Sequence, residues 1–181
     1  MLCGEKVNLR AIEMTDLDNV MTWINDPEVT RYLVVGLWPL SRGAEAEWIE
    51  RRVKDADPTE KALVIETKDG VYLGGIGLHR IDYRSGTAEA GIAIGRKDYW
   101  GKGYGTDALR VLVKHAFENL RLRKVYLTVF GSNVRGQKSY AKLGFREVGR
   151  LKEHVLKEGQ YEDLIYMEVF KEEFERACPA K

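Results

Sequence analysis

Three strand-like runs follow one another between positions 61 and 95, and the third feeds a glycine-rich loop that opens a helix. "KALVIETK", "VYLGGIGLHRID" and "TAEAGIAIG" are rich in apolar and β-branched residues. Asp69-Gly70 is a strong two-residue hairpin signal, and Arg84-Ser85-Gly86 makes the next turn, so the runs form a meander. The loop "YWGKGYGTDA" begins at Tyr99, and the helical pattern "TDALRVLVKHAFENL" follows at once. The β-branched run "KVYLTVF" comes next. A crossover helix between strands excludes an all-antiparallel barrel or sandwich and points to one mixed sheet in the α/β class.

The rest of the chain supplies layers for that sheet. "KVNLRAI" (Lys6–Ile12) alternates as a strand. Thr15 or Asp16 can cap a helix with Leu17, Val20, Met21 and Ile24 at helical spacing, ended by Asp26-Pro27. A second helix is expected after Ser41, with Ala44, Trp48, Ile49 and Val53 on one face. "NVRGQKSYAKLGF" reads as a short helix closed by Gly144. "REVGRLKEHVLK" and "YEDLIYMEVF" are two further strands joined at Glu158-Gly159. The expectation is one domain over residues 1–181, core about 6–171, with about seven strands and about four helices.

Lys and Arg number 29 and Asp and Glu 28, for a net charge of +1 with no long basic run. No nucleic-acid footprint is indicated. No run approaches the roughly 18 apolar residues of a membrane span, and "MLCGEKVNLR" has no apolar signal core. The location expected is cytoplasmic, with no membrane or nucleic-acid partner. Cys3 and Cys178, one near each end, are expected as free thiols on mobile termini. With His79, His115 and His154 far apart, no metal site is expected.

The glycine loop carries the first functional signal. The leading N–H groups of a helix lack intrahelical acceptors and sit at the positive end of its dipole, a natural anion site. Gly101, Gly103 and Gly105 clear side chains from that approach, and Lys102 adds charge. The loop is no P-loop, because the glycines are too close and no Lys-Ser/Thr pair follows the last of them. It is no dinucleotide fingerprint either, because the spacing is G-x-G-x-G and the loop lies past mid-chain. A tight turn without a ligand is the remaining alternative.

Twenty-eight residues after Gly105 comes "NVRGQKSYAKLGF". Together the two segments resemble the GNAT superfamily of acyl-CoA-dependent N-acetyltransferases. That family opens its central helix with Q/R-x-x-G-x-G/A and later carries N-x-x-A/S-x-x-x-Y-x-x-x-G-F. Gly103 and Gly105 match the first motif; Asn133, Tyr140, Gly144 and Phe145 match the second. "NDPEVTRYL" and "YWGKGYGTDA" look like the RimJ/RimL branch, related to spermidine acetyltransferases and commonly homodimeric. Trp100 stands where many members of the family have Gln or Arg, and this branch often has Trp there.

The resemblance implies acetyl-CoA as co-substrate and a cleft where the fourth and fifth predicted strands splay apart. Trp100, Gly101, Lys102, Gly103, Tyr104, Gly105 and Thr106 would form the pyrophosphate cradle, with the backbone carrying more of the contact because of Trp100. The backbone of Ile92, Ala93 and Ile94 would pair with the pantetheine arm as an added strand would, and Asn133 would cap its helix and contact the same arm. Tyr140 would be the general acid for the leaving thiolate. Thr128 stands where some relatives place a glutamate base. Glu89 is then the leading base and His79 a second, and a dry pocket with an ordered water is an alternative to both. Asp26, Glu28 and Trp38 are candidates for recognising the acceptor, together with the 158–159 hairpin. The activity expected is direct acetyl transfer to a primary amine: a protein N-terminus or small amine, or alternatively a polyamine. A non-catalytic acyl-CoA-binding module and an unrelated nucleotide binder are the alternatives of other classes.

Overall fold

The meander forms as its turns demand, and an eight-stranded sheet extends from it in the order β1-β2-β3-β4-β5-β6-β8-β7. The computed structural model describes residues 1–33, 38–157 and 159–179. The strands are β1 (Leu2–Cys3), β2 (Val7–Ala11), β3 (Lys61–Thr67), β4 (Tyr72–Asp82), β5 (Thr87–Ile94), β6 (Lys124–Phe130), β7 (Arg146–Lys157) and β8 (Gln160–Phe170). The helices are α1 (Leu17–Met21), α2 (Pro27–Thr30), α3 (Arg42–Val53), α4 (Tyr104–Glu118), α5 (Val134–Ala141) and α6 (Lys171–Ala177). Every neighbouring pair of strands is antiparallel except β5–β6, which is parallel because α4 carries the chain back across the sheet.

Apolar residues of alternate register fill two layers. One face packs Leu109, Leu112 and Val113 of α4 against Val125, Leu127 and Ile165, with Phe174 of α6 closing on Phe117. The other face of the N-terminal strands carries Trp23, Ile24, Val29 and Ile49 against Val64 and Tyr72.

Several local expectations need correction. Asp26-Pro27 does not merely end a helix; it starts α2. The Asp26 carboxylate accepts from Glu28 N at 2.9 Å, and Pro27 takes the first helical position, where its missing N–H does no harm. A 3-10 turn over Met14–Asp16 precedes α1. Asp16 there is only 2 % exposed, and its carboxylate receives Arg10 and Glu13 N. Ser41 caps α3 as expected, but its buried face is Glu45 and Ile49; Ala44 and Val53 are exposed. Burial pushes the Glu45 carboxyl up. The segments that carry the two cysteines are docked rather than loose. Cys3 lies in β1 opposite Asn8, and half-buried Cys178 follows α6; both are free thiols. Among the described residues no helix is long and apolar enough to cross a membrane.

One buried carboxylate ties the first strands to the central helix. Asp107, in the first turn of α4, accepts from Lys6 N at 2.7 Å and Val7 N at 3.1 Å, and from Arg110 at 2.5 Å. A Cβ on Gly4 would lie 2.4 Å from the same carboxylate, so only glycine fits there. Burial pulls the Asp107 pKa up, but the backbone amides and Arg110 outweigh it, and the net shift is below the ordinary 3.8. Its stabilisation is therefore fully present above that value and is lost as pH falls through the lowered pKa. Asp107→Asn should cost about 1–3 kcal/mol at neutral pH. Thermal melts of both proteins should show that gap closing in acid; a gap independent of pH would contradict the assignment.

Candidate active site

β5 and β6 are joined only at their roots. Thr87 pairs with Lys124, Ala88 with Val125 and Glu89 with Tyr126; beyond Glu89 the strands part. On its other edge β5 stays paired with β4 as far as Ile94. One edge of β5 from Ala90 onward therefore opens on a groove of about 590 Å³ instead of a neighbouring strand. Its walls include Ile92, Ala93 and Ile94, the loop residues Trp100, Gly101 and Gly103, and Tyr104, Gly105 and Thr106 of α4. Asn133 and Tyr140 flank it from the α5 side.

The glycine loop does what its composition suggests. Gly101 and Gly103 have φ of +72° and +87°, a left-handed conformation that other residues adopt at a cost. Gly103 is the N-cap of α4, and the first intrahelical bond is Asp107 N to Gly103 O at 3.0 Å. The amides of Tyr104, Gly105 and Thr106 have no acceptor among the described residues. They face the groove mouth at the positive end of a helix of 15 residues. Gly105 serves packing: a Cβ there would sit 3.5 Å from Ile94 Cγ1 and 3.8 Å from Ile92 Cδ1. This contact turns Ile92 and Ile94 toward α4. Strand alternation then places Glu89, Gly91 and Ala93 on the opposite face. Lys102 is exposed and does not line the groove.

Trp100 is committed to the scaffold. Its indole N–H donates to Ile94 O at 2.8 Å, and Arg135 of α5 stacks on its ring at 4.3 Å. Trp100 thus brings no charge to the groove and acts as a strut between the loop and β5. Arg135, which sequence reasoning passed over, brings a cation to the groove wall. Thr106 and Ser139 join hydroxyls at 2.5 Å, linking α4 to α5 across the groove floor.

Asn133 caps α5 through Gly136 N at 2.9 Å. Seven residues on, Tyr140 lines the groove, its ring 6.2 Å from Phe145. No hydrogen-bond partner for its hydroxyl occurs among the described residues. Burial pushes the phenol up, with the charge of Arg135 pulling the other way, so it stays protonated at neutral pH.

Glu89 sits at the vertex where the strands part, its side chain 16 % exposed. Arg80 pairs with it at 2.7 Å, and Thr128 Oγ1 lies 3.4 Å away. Arg80 stands in a bulge between β4 and β5 with φ of +48°, and the bulge re-aims its side chain onto the carboxylate. His79, opposite Glu89 in register, lies over Gly91: its Nε2 is 3.1 Å from where a Cβ would be. Glu89 and His79 thus share the open face near the vertex, though neither is among the groove walls.

The acceptor candidates fare differently. Lys97 holds Asp26 and Glu28 at 2.8 Å each, and neither carboxylate lines the groove. Trp38 is 82 % exposed and belongs to neither apolar cluster. Val29, Tyr32 and Leu33, from α2 and the turn after it, line the groove instead. Of the 158–159 hairpin, Glu158 lies outside the described residues. Among those described, no cluster of His, Cys, Asp and Glu suits a metal ion.

Comparison with known proteins agrees with this geometry. Residues 6–146 match the acetyltransferase (GNAT) domain family. The chain is 31% identical over 178 residues to spermidine N(1)-acetyltransferase of Escherichia coli (strain K12), covering 96% of this chain and 91% of that one. It is 29% identical to a putative ribosomal N-acetyltransferase, YdaF, of Bacillus subtilis (strain 168), covering 95% of each. Among solved structures it is similar to spermidine N-acetyltransferase from Vibrio cholerae in complex with CoA and spermine. The TM-score is 0.84 at 26% identity, over 93% of this chain and 97% of that one.

Proposed function

The chain belongs to the GNAT acetyltransferase family, and from that premise we propose that it transfers acetyl from acetyl-CoA directly to a primary amine bound on the open face of β5. The observation that carries this reading is the parting of β5 and β6 beside the free amides of α4, with Tyr140 on the same groove. The residues fit the donor. The α4 amides suit its pyrophosphate, and the edge of β5 at Ile92–Ile94, free of a neighbouring strand though the Ile94 carbonyl accepts from Trp100, suits its amide-bearing arm.

Acetyl-CoA supplies the acetyl group as a thioester, already activated for attack. A backbone N–H of β5 polarises the carbonyl oxygen. The acceptor arrives on the face of Glu89 and Gly91, beside the cluster that packs on Ala93, because α4 and α5 cover the other face. Glu89, directly or through a water, takes the proton that frees the nitrogen lone pair. Nitrogen bonds to the carbonyl carbon, the carbon–sulfur bond breaks, and the Tyr140 hydroxyl gives its proton to the departing sulfur; the cationic nitrogen of the new amide then gives up its second proton, which restores the Tyr140 hydroxyl through solvent. The groove that raises the phenol also desolvates the thiolate and raises its basicity, which keeps donor and acceptor matched. Neither Cys3 nor Cys178 lines the groove, in keeping with attack without an acyl-enzyme.

The RimJ/RimL branch and a protein N-terminus or singly charged small amine are the acceptor reading we favour, since Asp26 and Glu28 are already paired with Lys97. A polyamine is the second reading, favoured by the identity to spermidine acetyltransferases. Release of CoA thiol against spermidine, small amines and short peptides with free N-termini tests both. Release with one class names the acceptor. Release with none, while acetyl-CoA still raises the melting temperature, would replace the enzyme with a binding module.

Glu89→Gln should lower kcat/KM for the amine by about 100-fold or more, within the usual range for general acid–base groups, while KM for acetyl-CoA holds. An unchanged kcat/KM would remove the carboxylate base and leave the dry pocket to do its work.

A further inference from the structure

α2 is a wall of the groove that cannot stand alone. Four residues are too few for an isolated helix, yet α2 and the turn after it place Val29, Tyr32 and Leu33 on the groove. Two lysines from distant parts of the chain hold its ends. Lys97 binds the carboxylates of Asp26 and Glu28 at the N-terminus. At the other end Thr30 O already accepts from Leu33 N at 2.9 Å. There Lys157 Nζ donates to Thr30 O at 3.2 Å and to Leu33 O at 3.3 Å, across 127 and 124 positions of sequence. A cation at the carboxyl end of a helix is also favoured by its dipole.

The two attachments lead to different places. Lys97 lies in the 3-10 turn Lys97–Tyr99, which enters the glycine loop. Lys157 is the last residue of β7, beside the hairpin tip, so its bonds join the β7–β8 hairpin to α2, whose Val29 packs in the same cluster as Ala93 of β5. Lys97 ties α2 to the turn that enters the glycine loop, and Lys157 ties it to the β7–β8 hairpin.

We propose that Lys157 is a positioning residue that sets the width of the acceptor entrance, by clasping the hairpin to the carboxyl end of α2. The inference rests on the amine-transfer reading above and deepens it. Lys157→Met keeps the stem and removes the donor. With a slender and a bulky amine of whichever class the wild type accepts, KM for the slender amine should rise at least fivefold. KM for acetyl-CoA should stay within twofold, because the Lys97 attachment is intact. The ratio of kcat/KM should shift at least threefold toward the bulky amine. Lys157→Arg, which can still reach both carbonyls, should restore the wild-type pattern. An acceptor KM within twofold of wild type would overturn the proposal, as would a joint rise in both KM values. A wild type that releases no CoA thiol with any acceptor would instead overturn the reaction on which the proposal stands.

Discussion

Tyr140→Phe is expected to lower kcat by about 100-fold, the lower end of the range for a positioned proton donor, with KM for acetyl-CoA within twofold. The variant isolates the hydroxyl. The ring and its packing against Phe145 are kept. No protein group among those described receives a hydrogen bond from the hydroxyl, so the fold loses nothing by its removal. The melting temperature should therefore be unchanged, and the loss should appear in kcat because the hydroxyl acts when sulfur departs. A kcat within threefold of wild type would return Tyr140 to a packing role and leave the thiolate to solvent.

Gly103→Val is expected to weaken CoA binding at least 100-fold, equivalent to about 2.7 kcal/mol. A β-branched residue at φ of +87° is strained whatever the space around it, and the nearest atom to a Cβ there is Lys6 Cε at 3.7 Å. The damage is conformational: to relieve the strain the loop must turn the first amides of α4 away from the groove. Gly103→Asn separates this from anion binding. Asparagine tolerates the left-handed conformation and is a favoured N-cap, whose side-chain oxygen accepts from the second or third amide. It should preserve the melting temperature yet occupy a donor meant for phosphate, weakening CoA binding about 10-fold. Titration calorimetry with CoA checks both. An asparagine variant that binds like wild type would show that the amides are not the anion site.

The parts of the molecule legible in sequence are those whose local chemistry agrees with the final fold. Asp69-Gly70 turns where it should because Gly70 has φ of +80°. Asn133 caps α5 and Ser41 caps α3 through their own side chains. The glycine loop was readable for the same reason: its function is a backbone conformation, and glycine advertises that. What escaped depends on partners far along the chain. β1 is two residues, fixed by Gly4 against Asp107 more than 100 positions away. α2 needs Lys97 and Lys157 to hold it. Asp26 and Glu28 look available to a cationic substrate until Lys97 appears between them. Val29, Tyr32 and Leu33 are ordinary core-forming residues, and only the parting of β5 from β6 makes them walls. Arg135 is a plain basic residue on a short helix until Trp100 lies beneath it.

The root shared by β5 and β6 is three residue pairs long. A sheet normally counts its ladders as permanent architecture. Here one ladder is left half-built, and its missing rungs are the size and polarity of a diffusible molecule. On the reading above, the arm of the donor fills them at the start of each turnover and vacates them at the end. Catalysis in this protein is then also a cycle of joinery, in which the two halves of one sheet are repeatedly spliced by the molecule they consume.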